Sequence, residues 1–175
     1  MTPLELVEPA GQYRVSYSSL VTELVESGEQ FIPFTLGFEH NDFDALLARL
    51  RDCAQGIGLP QGFVAHSNYW LVRDGSEVVG VANIRLALTP ALRREGGNIG
   101  YGIRPSARGC GMGNEILRLA LMRARTLGLW EVLLTCGKDN AVSAKVIVRH
   151  GGVLESEEFL PDRGEIVQRY WIKVD

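Results

Sequence analysis

The sequence predicts a mixed α/β (α+β) domain with a sheet of about six to seven strands, an antiparallel meander in the N-terminal half, a central βαβ unit and helices on both faces. Three stretches predict it. The strand-like run Tyr69 to Arg73 meets the hairpin turn Asp74-Gly75, a second run from Glu77 to Leu88, and a third from Asn98 to Ile103. The stretch Ile99 to Leu127 then reads as strand, glycine turn and helix, and the apolar run Glu131 to Cys136 completes a βαβ unit. Last, Asp162-Arg163-Gly164 separates an acidic stretch from Glu165 to Val174, whose side chains alternate as in a closing hairpin.

Length and composition bound the rest. The 175 residues, 46% hydrophobic and 22% charged, suit one domain spanning 1–175 with a full core. A net charge of -3 gives no global field for nucleic acid, so any polyanion must be gripped locally. Cys53, Cys110 and Cys136, with only His40, His66 and His150 beside them, make neither a disulfide framework nor a metal pattern, which points to a reducing compartment. The opening Met1 to Glu8 lacks a basic segment followed by an apolar run, and no uncharged stretch reaches membrane-spanning length. A soluble cytoplasmic protein with no membrane partner is expected.

In chain order, Leu4 to Val7 is a short opening strand, and Tyr13 to Glu26 contains a helix burying Leu20, Val21, Leu24 and Val25, ended by Gly28. Gln30 to His40, carrying Phe31, Phe34 and Phe38, is an irregular apolar segment, read as a surface loop pinned into the core by its aromatics, with part of a substrate pocket as the other reading. Asn41 or Asp42 caps a helix with Phe43, Leu46, Leu47 and Leu50 inward, and Gly56 to Gly62 is loop. Thr89 to Gly97 is a solvated loop, and the helix after the glycine turn buries Leu117, Ala120, Ala124 and Leu127, with Glu115 and Arg118 spaced for an ion pair. Asp139 or Asn140 caps a last short helix that Gly151 stops.

The turn Arg108-Gly109-Cys110-Gly111-Met112-Gly113 carries the chemistry. Glycines let a ligand approach successive backbone N–H groups, and at a helix start those groups lack partners while the macrodipole favours negative charge. Phosphate is the natural guest, although a glycine turn without a ligand is also open. The common phosphate loops do not fit: there is no G-x-x-x-x-G-K-[ST], and the third glycine comes one residue too early for G-x-G-x-x-G.

Arg108-x-x-Gly111-x-Gly113 at a strand-to-helix junction resembles the pyrophosphate loop of the GCN5-related N-acetyltransferases, written [QR]-x-x-G-x-[GA]. A second segment, Asn140, Ser143, Ile147 and Gly151, falls in the register N-x-x-[SA]-x-x-x-[YIL]-x-x-x-G of the same family. The likeness covers Tyr69 to Val174, and members known only as predicted acetyltransferases share Gly97-x-Ile99-Gly100-Tyr101 and Arg169-Tyr170-Trp171. It implies an acetyl-CoA-dependent N-acetyltransferase core over about 69–174. Ile103, Arg108, Gly109, Cys110, Gly111, Met112, Gly113, Asn114, Asn140 and Ser143 are its implied cofactor-binding residues, with no metal.

Departures leave the catalytic residues unknown. Many members have tyrosine at the position of Ile147, where its hydroxyl protonates the departing thiolate, and phenylalanine at that of Gly152. Some place a general-base glutamate on the strand before the loop, but Asn98 to Ile103 holds no carboxylate. Glu95 and Tyr101 stand as secondary catalytic candidates. The expected reaction is direct attack of a small-molecule or peptide amine on the thioester, with Cys110 and Cys136 as packing residues and not nucleophiles. A non-catalytic acyl-CoA sensor is the alternative, and the oligomeric state, a homodimer included, stays open.

Overall fold

The computed structural model describes residues 3–174; Met1, Thr2 and Asp175 lie outside the described residues. Seven strands among the described residues form two sheets. β1 (Leu4–Val7), β2 (His66–Arg73), β3 (Glu77–Arg85) and β4 (Ile99–Ile103) pair antiparallel in that order. β7 (Glu165–Lys173) lies between β5 (Glu131–Gly137) and β6 (Val153–Leu160), antiparallel to both. The expected closing hairpin is therefore present.

The parallel pairing expected of β4 with β5 does not form, and the cause is Asn98. Its backbone N–H donates to Leu133 O (2.7 Å), its Oδ1 accepts the Leu133 N–H (2.8 Å), and its Nδ2 donates to Arg85 O (3.1 Å). Its own carbonyl accepts from Arg85 N–H (2.7 Å). Buried with 3% exposure, Asn98 thus staples the two sheets at one point. Beyond that point the preceding loop takes the edge of β5, with Gly96 N–H donating to Thr135 Oγ1 (2.9 Å). β4 keeps an unpaired edge.

Helices cover both faces of the first sheet. α1 (Arg14–Ser27) and α2 (Phe43–Gln55) pack on one face around Trp70, on which Tyr17 stacks with ring centroids 4.5 Å apart. α4 (Met112–Thr126) packs on the other with Ile116, Leu117, Ala120 and Ala124 fully buried. Each large apolar side chain buried this way contributes roughly 1.5–3 kcal/mol. Val25 and Leu127 were expected inside but face solvent, because the buried stripes of α1 and α4 end at Leu24 and Ala124. Asp42, not Asn41, caps α2, its Oδ1 accepting from Ala45 N–H (3.0 Å).

Other boundaries differ from expectation: β2 begins at His66, three residues before the expected Tyr69. β3 stops at Arg85, three residues before the expected Leu88. The loop 89–97 contains a short helix, α3 (Pro90–Arg94), capped by Thr89 Oγ1 and started by Pro90, a Thr-Pro signature that the sequence carried. α5 (Ala141–Arg149) follows β5, and Asn140 is its cap, accepting from Ser143 N–H (3.1 Å). No helix among the described residues is long and apolar enough to cross a membrane.

On the α2 side of the sheet, four buried polar side chains form a chain. Thr35 Oγ1 donates to Asn68 Oδ1 (2.7 Å), Asn83 Nδ2 bonds the same oxygen (3.2 Å), and Asn83 Nδ2 also meets His66 Nδ1 (2.8 Å). Burial, with Arg85 nearby, pushes the His66 imidazole down to about 4. Because the folded value lies below the unfolded one, the unfolded chain binds the extra proton, so stability falls as pH drops from 6.5 toward 4. Acidification from pH 7 to 4.5 is expected to cost about 2–3 kcal/mol more in this protein than in His66→Gln. Denaturant titrations at the two pH values check it, and equal losses would contradict it.

Candidate active site

The free edge of β4 is the first half of the site. Arg85 N–H bonds Asn98 O and Arg104 N–H bonds Val79 O, which fixes the alternation of the ladder. Gly100 and Gly102 then direct their backbone groups to β3, while Ile99, Tyr101 and Ile103 direct theirs away from it. The Ile32 carbonyl presses on Gly102 so closely that a Cβ there would overlap it. Only glycine lets the segment between α1 and α2 close down on this face of β4.

The glycine turn is the second half. Gly111 is the cap of α4 at φ 86°, a left-handed conformation that L side chains resist. Arg108 N–H is taken by Pro105 O (3.3 Å) and Asn114 N–H by Gly111 O (3.0 Å), so the expected row of unpaired amides is shorter than Arg108 to Asn114. Among the described residues, the backbone N–H groups of Gly109, Cys110, Gly111, Met112 and Gly113 carry no backbone hydrogen bond. Five donors at the start of a fifteen-residue helix suit a diphosphate.

Two ion pairs that sequence reading missed hold this turn against α1. Arg104, 8% exposed, donates to Glu23 Oε1 (2.7 Å) and to Ser19 Oγ (2.5 Å), and Ser106 bonds both oxygens of Glu23. Burial pushes the Glu23 carboxyl up, but the bonds from Arg104 and Ser106 outweigh it and hold it below the usual carboxylate range. Arg108 donates Nε to Ile103 O (3.0 Å) and grips both oxygens of Glu29 (2.8 and 2.9 Å), holding that carboxyl low. Both partners are exposed, so the Glu29 pair is weak and screened by salt. The Arg108 side chain is thus committed to the end of β4 and positions the turn.

Between the sheets, Tyr101 Oη lies 3.5 Å from Ser143 Oγ on α5. Burial pushes the Tyr101 phenol above its usual value, with the Ser143 contact opposing. Burial likewise pushes the nearby Cys136 thiol up to about 11. Cys136 is partly buried, as a packing residue should be, but Cys110 is exposed, its thiol directed at Ala107 O (2.9 Å), because the turn carries it out of the core. Ile147 is buried under Gly152 and offers only hydrocarbon. Asn140 is exposed at the head of α5.

The glutamates of the last hairpin, and Glu95 before β4, are held by partners. Glu158 is held by Arg94 and Arg169, Glu157 by Lys138, Glu155 by Trp171 Nε1, and Glu95 by Arg163, which also holds Glu165. Among the described residues no group of three His, Cys, Asp or Glu side chains is placed to hold a metal ion.

Comparison with known proteins places this geometry. No curated protein matches by sequence. Solved structures share the fold. A RimL ribosomal L7/L12 α-N-protein acetyltransferase in complex with coenzyme A is 20% identical, with a TM-score of 0.71, covering 100% of this chain and 96% of that one. MccE, a microcin C7 self-immunity acetyltransferase in complex with acetyl-CoA and AMP, is 14% identical with a TM-score of 0.70, at 98% and 92% coverage. The yncA protein of Salmonella typhimurium, described as a putative acetyltransferase with its cofactor acetyl-CoA, is 15% identical with a TM-score of 0.63, at 99% and 94% coverage. The sequence pattern of the acetyltransferase (GNAT) domain family matches residues 29–153, and the chain belongs to that family.

Proposed function

We propose that the protein is an acetyl-CoA-dependent N-acetyltransferase that transfers the acetyl group directly to a primary amine. The observation that carries the reading is the meeting of an unpaired strand edge, Ile99 to Ile103, with five unpaired amides at the start of α4. A carrier with a diphosphate at one end and amide groups along its arm matches both halves. The amides of Gly109 to Gly113 take the diphosphate, and the outward N–H and carbonyl of Tyr101 with the outward N–H of Ile103 pair with the arm as an added strand, the Ile103 carbonyl being held by Arg108. Arg108 and Asn114 hold the turn in shape, while Asn140 and Ser143 border the arm from α5. That solved neighbours were obtained with coenzyme A or acetyl-CoA supports the choice of carrier.

In the reaction the neutral amine nitrogen forms the new N–C bond, the C–S bond breaks, and the sulfur ends as a thiol. An outward N–H of β4 polarises the thioester carbonyl. Tyr101, kept protonated by burial, donates to the departing sulfur in place of the hydroxyl that Ile147 lacks, and it is reprotonated by the proton that the attacking nitrogen gives up once the N–C bond has formed. The ammonium proton leaves by a carboxylate or a water chain; Glu95 is the carboxylate candidate, and its pairing with Arg163 must loosen for the task. A covalent route through Cys136 is disfavoured, because a thiol near 11 is ionised only about one part in ten thousand at pH 7.

The hydrocarbon at Ile147 also favours a second reading, a sensor that binds acyl-CoA without turnover. Acetyl-CoA at 100 times its dissociation constant is expected to add about 2.7 kcal/mol of stability, read as a rise in Tm. Absence of any shift would overturn both readings. Release of free thiol with a panel of primary amines supports the enzyme, and binding without release with every amine supports the sensor.

A further inference from the structure

Beside the His66 chain lies a cavity of about 550 Å³, within the range that holds small ligands. It is walled by Phe34, Phe38, Phe63, Leu59, Arg49 and His66. Phe34 stands at its centre, edge-on to Phe38 (5.8 Å), Phe63 (5.6 Å) and His66 (5.3 Å). The Arg49 guanidinium carbon lies over Phe38, 3.6 Å from the ring centre. Phe63 and Ile57 leave about half their surface exposed, so this apolar lining is open to a guest.

The buried chain sets what His66 offers. Thr35 Oγ1 donates to Asn68 Oδ1, Asn83 Nδ2 bonds the same oxygen, and in this amide orientation that Nδ2 donates to His66 Nδ1. The ring proton is then on Nε2, and the second ring nitrogen is a fixed donor. All four side chains are at least nine-tenths buried, and Asn68 Nδ2 and Asn83 Oδ1 go without partners among the described residues. Holding this tautomer costs buried polar groups, which a purely apolar wall would not.

The cavity connects to the proposed reaction centre through the segment Ile32 to Phe34. The Ile32 carbonyl presses on Gly102 of β4, Pro33 lies within ordinary contact distance of Gly100, and the next residue is Phe34. Across the ladder His66 pairs with Arg85, which reaches Gly96 O and Gly97 O beside β4. Two strand spacings, roughly 10 Å, separate β2 from β4.

We propose that this cavity holds the non-reacting end of the acceptor, an aromatic ring about one residue beyond the reacting amine, with an adjacent carbonyl oxygen accepting from His66 Nε2. The proposal rests on the acetyltransferase reading. Ring edges receive the aromatic group, the flat face of Arg49 stacks on it, and one extended residue of about 3.5 Å plus an aromatic side chain spans the distance.

The test uses glycyl-phenylalaninamide, glycyl-alaninamide and glycyl-2-phenylethylamide as acceptors in a thiol-release assay, with direct binding followed by calorimetry. Glycyl-phenylalaninamide is expected to show a kcat/KM at least tenfold above glycyl-alaninamide. It should exceed the phenylethylamide, which keeps the glycyl carbonyl and lacks the terminal carboxamide, by about fivefold. Ala48 is exposed and lines the cavity, so Ala48→Trp fills it without touching the core and is expected to remove the aromatic preference. Equal rates for the two glycyl amides, or a preference that survives Ala48→Trp, would overturn the cavity proposal and leave the acetyltransferase reading standing. Tight binding of the aromatic amide with no thiol released from any amine would overturn the acetyltransferase reading on which the proposal depends.

Discussion

Tyr101→Phe is expected to lower kcat by about a hundredfold while leaving the dissociation constant of acetyl-CoA unchanged. The substitution keeps the ring that packs in the main core and removes one oxygen, the one that lies 3.5 Å from Ser143 Oγ. Near neutral pH this phenol is a proton donor, since burial raises it above its ordinary value. No other hydroxyl of the family pattern takes the task, because Ile147 stands where tyrosine is common. The variant also separates the two readings of the fold: a sensor loses nothing on Tyr101→Phe, whereas an enzyme slows. An unchanged kcat would remove Tyr101 from the reaction and return the proton to water.

Gly111→Val is expected to abolish the stabilisation that acetyl-CoA gives. At φ 86° a β-branched residue is strained by about 1–3 kcal/mol, and the turn relaxes by moving the very amides that it presents. Nothing lies within 4 Å of a Cβ built at Gly111, so the cost is backbone strain and not collision, and the core under α4 stays intact. Circular dichroism of the variant should match the parent while the ligand-induced rise in Tm disappears. Retention of that rise would show that the carrier is held elsewhere. Arg108→Ala should act more weakly, since its guanidinium serves Ile103 O and Glu29.

The parts legible in the sequence were those written by local chemistry. Glycine spacing announced the strand, turn and helix at Ile99 to Thr126, side-chain acceptors announced two caps to within one residue, at Asn41 or Asp42 and at Asp139 or Asn140, and Asp-Arg-Gly announced the last hairpin. The split between β4 and β5 was not legible, because it turns on the side chain of Asn98 standing in for backbone groups of a strand, and no periodicity marks that exchange. The tethers Arg104 to Glu23 and Arg108 to Glu29 join positions far apart in the chain, where only the fold brings charges together. His66 looked like an isolated histidine because Thr35, Asn68 and Asn83 come from three separate elements. The short helix α3 had a readable Thr-Pro start that its charged residues masked.

The most direct measurement is backbone amide NMR of the labelled protein titrated with acetyl-CoA. The largest shifts are expected at Gly109 to Gly113 and at Tyr101 and Ile103, with Gly100 and Gly102, bonded to β3, moving less. Shifts clustered away from the start of α4, or none at these seven amides, would contradict the account.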